Sequence, residues 1–126
     1  MRLSILVLLF FFIFEPKVWA CPSEIDRTPE KYKASLYEVR LLRAIYKHES
    51  SQHRGYCMAV LSSEYNGCRA QVKQALNIIR QEWRRYENNG RQGKFVNHLA
   101  NRYCPARWDK QGNKNWKRGI RKLLET

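Results

Sequence analysis

One glutamate in this chain stands where a carboxyl group could hold a proton for catalysis. Glu49 follows the apolar positions Leu42, Ile45 and Tyr46 at the next step of three or four, where the helical pattern gives way to the polar stretch 49–55. Its side chain therefore leaves the apolar side of a helix and opens into whatever space the fold leaves beside it. Burial of that kind disfavours the ionised carboxyl and raises its pKa, which a general acid near neutral pH requires. The competing reading is a helix-end glutamate exposed to solvent or paired with one of many nearby cations. Other reactive groupings fail on spacing. His48-Glu49 with His53 sets two histidines five apart, on opposite sides of a helix, where one zinc ion cannot take both. Cys21, Cys57, Cys68 and Cys104 contain no Cys-x-x-Cys, so no metal and no cofactor is expected.

The segment Ala44-Ile45-Tyr46-Lys47-His48-Glu49-Ser50-Ser51 resembles the catalytic segment of the lysozyme-like lytic transglycosylases, in which an apolar helix ends in a Glu-Ser pair followed by Gly or Ser. Carried over by position, the resemblance makes Glu49 the catalytic acid and Ser50 the serine beside it. A second patch, Phe95-Val96-Asn97-His98-Leu99-Ala100-Asn101-Arg102-Tyr103-Cys104-Pro105 with Asn115-Trp116 beyond it, is similar to the closing helices of small bacterial and phage members. There an Arg-Tyr pair ends a helix before a turn and a final Asn-Trp helix. The chain departs from the family where a Gly-rich segment ending in Met-Gln usually lines the cleft: residues 56–63 hold Met58 but no Gly-x-Met-Gln. That departure bears on the substrate subsites more than on the acid.

The resemblance implies a small lysozyme-like domain and a peptidoglycan-cleaving glycosidase, a lytic transglycosylase or lysozyme, with Glu49 as general acid and base. Ser50, Tyr103 and Trp108 are the expected substrate-binding residues, since aromatic faces stack on pyranose rings. Core packing is the alternative for both aromatic residues, for Tyr103 especially, which stands at helical spacing from Leu99. A second carboxylate would decide the mechanism, because a hydrolase of the usual kind needs two. The candidates are Glu64, in a loop region, and Glu82, beside Ala75, Ile79 and Tyr86, where it reads more readily as a shield for the core. A lytic transglycosylase needs one carboxylate, because the substrate's own hydroxyl attacks. The scarcity of partners favours that route.

The elements that must position these residues are helical. Thr28-Pro29 predicts a helix start, with a capping hydroxyl and then proline at the first helical position, and the face Leu36, Val39, Leu42, Ile45 and Tyr46 continues it. The strongest pattern is Cys68, Val72, Ala75, Leu76, Ile79, Trp83 and Tyr86, ended by Asn88-Asn89-Gly90. Phe95, Val96, Leu99 and Tyr103 mark another helix, stopped at Pro105, and Trp116, Ile120, Leu123 and Leu124 mark a basic last one. The expected fold is all-α, with four or five short helices around one core and two disulfides. Cys57 and Cys68 flank the Asn66-Gly67 turn and are paired on that proximity, which leaves Cys21 with Cys104.

Met1-Arg2, an apolar run over 3–14 broken only by Ser4, and Val18-Trp19-Ala20 have the layout of a secretory signal peptide, shorter than a membrane span requires. The expected division is a signal peptide over 1–20 and one domain over 21–126. Val18-Trp19-Ala20-Cys21 is also close to a bacterial lipobox, but Trp19 suits it poorly and lipidation would leave three cysteines in an oxidising compartment. Secretion or a periplasmic location is therefore expected, with a lipoprotein anchored at Cys21 as the lesser alternative. Without Arg2, Lys17 and Glu15, the chain's charge of +13 becomes +12. Such a surface attracts polyanions, and export points to peptidoglycan or another anionic wall polymer rather than intracellular nucleic acid. A monomer is expected. The rival reading is a non-enzymatic cationic protein that adheres to wall, membrane or other polyanion and needs nothing from Glu49.

Overall fold

The computed structural model describes residues 20–51 and 67–126, which form six helices: α1 (Ala20–Asp26), α2 (Thr28–Tyr32), α3 (Leu36–Ser51), α4 (Cys68–Asn88), α5 (Phe95–Tyr103) and α6 (Lys110–Leu124). Among the described residues there is no strand, as the all-α expectation requires. The count exceeds four or five because the chain before Leu36 makes two short helices. The single helix expected from Thr28 is interrupted at Lys33, which turns left-handed at φ 53° and ends α2. Ser35 and Glu38 then start α3 with a reciprocal capping box. The Ser35 amide donates to Glu38 Oε1 at 2.9 Å and the Glu38 amide donates to Ser35 Oγ at 3.1 Å. Thr28 is not the expected cap. Its hydroxyl is buried and donates back to the Ile25 carbonyl at 2.7 Å, while Arg27 holds the cap position.

Helix α3 is the centre of the fold and packs against α1, α2, α4 and α6. Leu41, Leu42 and Ile45 are completely covered, meeting Leu76 and Ile79 of α4, Leu99 of α5 and Ile120 of α6 in one apolar cluster. Burying an aliphatic side chain of this size contributes about 1.5–3 kcal/mol, so this cluster dominates the stabilisation. Arg80 of α4 fastens the start of α3 from outside, donating to Glu38 Oε2 at 2.8 Å and to the Tyr32 carbonyl at 2.8 Å. Burial pushes the Glu38 carboxyl up, but the hydrogen bonds and charge of Arg80 and the bonds from Ser35 outweigh it and hold the group below its ordinary range.

Cys21 of α1 is bonded to Cys68 at the start of α4, with Cα atoms 5.0 Å apart. This overturns both expected pairings, Cys57 with Cys68 and Cys21 with Cys104. Nearness along the chain misled the expectation, because α1 packs on α4 and brings together cysteines 47 positions apart. In the chain-entropy account a loop of that length is worth about 4 kcal/mol, against about 3 for the short loop expected. Cys104 is buried and is not a free thiol. Cys57 lies outside the described residues, as does most of the expected signal peptide. The disulfide fits an oxidising compartment. It also engages the Cys21 sulfur that a lipid anchor would need. No helix among the described residues is long and apolar enough to cross a membrane.

Candidate functional site

Glu49 sits in the last turn of α3, and the way α6 crosses that turn builds its surroundings. The two helices run antiparallel: Arg40 near the start of α3 donates to the Leu124 carbonyl at the end of α6, while His48 meets the middle of α6. Gly119 permits the close approach, since a Cβ there would overlap the His48 imidazole. The His48 ring lies edge-on to Trp116 at 6.4 Å between centroids, and burial pushes its pKa down, favouring the neutral imidazole. Trp116 stacks on Tyr103 of α5 at 5.2 Å and 17° between planes. Asn113, also buried, ties α6 to the end of α5 by donating to the Cys104 carbonyl at 2.8 Å.

Into this polar-lined interior the glutamate is turned with only 3% of its surface exposed. It lies close enough to act on Tyr103. Burial pushes the Tyr103 phenol far above its ordinary range, the Glu49 charge pushes it further the same way, and Arg102 opposes both. Tyr103 Oη and Trp116 Nε1 are fully buried polar atoms with no hydrogen-bond partner among the described residues. Leaving a buried donor unsatisfied costs about 1–3 kcal/mol, so two such groups in contact call for a functional or solvent explanation.

The expected site residues fare differently. Glu49 and Tyr103, more than fifty positions apart, are brought together, but Tyr103 is wholly buried on Trp116 instead of presenting a ring face to solvent. Ser50 follows Glu49 in the last turn of α3. Trp108 stands on the connection between α5 and α6 with 62% of its surface exposed and Arg107 over its ring at 5.0 Å. Glu49 itself is buried. Of the possible second carboxylates, Glu82 is buried and engaged by Arg85 and His98, each at 2.8 Å, while Glu64 and His53 lie outside the described residues. Among the described residues no cluster of metal-ligating side chains occurs.

Trp116, Asn113 and Gly119 were missed as site residues. Trp116 fits the apolar stripe of α6 and reads as core, while Asn113 and Gly119 carry no periodic signal. Close to these residues in sequence, the basic face of α6 forms an open depression of about 420 Å³ lined by Lys114, Lys117, Arg118, Arg121 and Lys122, with Glu125 at its end. Comparison of the chain with models of protein families, with curated proteins and with solved structures finds no match to any of them.

Proposed function

We propose that this protein cleaves peptidoglycan at a glycosidic bond, with Glu49 as the general acid. The observation that carries the reading is that the charge of Glu49 acts on the buried Tyr103 phenol. The two residues belong to two separate stretches that each resemble the lytic transglycosylases, and the fold buries both within electrostatic reach of each other, the phenol having no hydrogen-bond partner among the described residues. Glu49 delivers its proton to the glycosidic oxygen as the bond from that oxygen to the anomeric carbon breaks. A hydroxyl of the same sugar closes on the anomeric carbon and returns its proton to the Glu49 carboxylate. One carboxylate serves both halves, which suits a site where Glu82 is held by Arg85 and His98. Burial of Glu49 strengthens each interaction the carboxyl makes. Mass analysis of soluble products from purified peptidoglycan tests the reaction. Products one water lighter than simple hydrolysis would give are expected, and no release from any acetylation state of the wall by folded protein contradicts the proposal.

The second reading, a cationic protein that adheres to wall or other polyanion, rests on the basic face of α6 and can coexist with the first. Replacing Lys114, Lys117, Arg118 and Lys122 together by Gln is expected to weaken retention on isolated wall while shifting thermal stability little; Arg121 is left in place because it is half-buried and donates to Asn97 Oδ1. Exposed charges contribute only about 0–1 kcal/mol each to stability. Wild-type retention should itself fall steeply as salt is raised. Retention unchanged by the four substitutions and by molar salt contradicts adhesion through this face.

A further inference from the structure

At the end of α3 remote from Glu49, an open groove of about 610 Å³ lies between α3, α4 and α5. From Tyr37 to Glu49 the helix rises about 18 Å, so the groove is a separate site. Its volume falls within the roughly 300–1,000 Å³ of small-molecule pockets. The walls are mainly apolar: Tyr37, Ile79, Trp83 and Phe95. The aromatic wall is held in place before any ligand arrives. Trp83 meets Phe95 edge-on at 4.8 Å, its indole N–H donates to Glu87 Oε1 at 2.6 Å, and Arg91 stands 5.5 Å from its ring centre.

The polar groups at the rim decide what can bind. Glu38 is already spent on Arg80 and the Ser35 amide, and Arg80 on Glu38 and the Tyr32 carbonyl. A sugar, which needs several donors and acceptors at once, finds few there. Arg84 is exposed and makes no hydrogen bond or ion pair among the described residues, so it is the uncommitted charge on a rim that otherwise balances. We propose that this groove binds a small apolar carboxylate, its flat or aliphatic body against Tyr37, Trp83 and Phe95 and its anionic group on Arg84.

The test uses 2-naphthoate as ligand and uncharged 2-naphthamide as its control, titrated into the oxidised protein by calorimetry, with amide shifts recorded by NMR. One saturable site is expected for naphthoate, with shifts at residues 35–38, 79–84 and 95. Arg84→Gln should weaken naphthoate about three- to ten-fold, the range of a partly solvated charge-assisted hydrogen bond, and leave naphthamide unchanged. Tyr37→Ala should weaken both ligands. Both side chains are substantially exposed, so neither variant threatens the fold. Non-saturable binding, shifts confined to the basic face of α6, or equal naphthoate affinity in wild type and Arg84→Gln would each overturn the proposal.

Discussion

Tyr103 and Glu49 separate a structural role from a chemical one. The phenol oxygen is buried without a hydrogen-bond partner among the described residues, so Tyr103→Phe removes a desolvated polar group and leaves the stacked ring on Trp116. The variant is expected to melt at the wild-type temperature or slightly above, while glycan cleavage falls about tenfold or more, the size of one lost transition-state donor. Unchanged cleavage would reduce Tyr103 to packing. That Glu49 falls on the covered side of α3 was legible from the three-and-four spacing that leads up to it, whereas its catalytic role was expected from the resemblance. Its electrostatic reach to Tyr103 could not be read that way. Periodicity says which face of a helix is covered, not which residues of another helix cover it.

Among the elements, α3 and α6 are the pair on which the site depends. The antiparallel crossing needs Gly119 beside His48. Alanine favours a helix over glycine by about 1 kcal/mol, whereas a methyl group forced into a packed site costs about 1–3. The His48 ring is buried and flanked by Trp116, so the second effect wins. Gly119→Ala is expected to lower the midpoint of thermal unfolding, and a raised midpoint would show that the helices do not approach so closely. The extent of α4 was legible from its stripe and from Asn88-Asn89-Gly90. The break between α2 and α3 was written in the sequence too, as Ser35 and Glu38 three apart, but the start signal at Thr28-Pro29 was joined to the face beginning at Leu36 as one helix. Nothing in the pattern announced α1, whose one deeply buried aliphatic residue, Ile25, sets no period.

For the whole molecule, a covalent link between two helices and a strong positive charge frame everything else. The Cys21–Cys68 bond joins the first helix to the longest one. With no free cysteine among the described residues, the remaining pair in the sequence is Cys57 and Cys104. Peptide mapping of the unreduced protein is expected to recover Cys21 linked to Cys68 and Cys57 linked to Cys104. A diacylglycerol on Cys21, or a peptide joining Cys57 to Cys68, would contradict this. The even number of cysteines led to an expectation of two disulfides, of which the Cys21–Cys68 bond is seen among the described residues, and which cysteines pair depends on helix docking. The net charge foretold a basic surface, and the fold collects part of it on one face of α6.

The most direct test of the central claim compares wild type with Glu49→Gln on purified peptidoglycan at matched concentration, with circular dichroism to confirm equal helicity. Glutamine keeps the size and much of the hydrogen bonding of the carboxyl group but has no proton to give a leaving oxygen. Losing a general acid costs about 10²–10⁴ in rate, and a group that also serves as base in the closing step belongs at the upper end. Product release is expected to drop by that factor while wall binding is retained. Wild-type turnover in a folded Glu49→Gln protein would contradict the assignment of Glu49 as the acid.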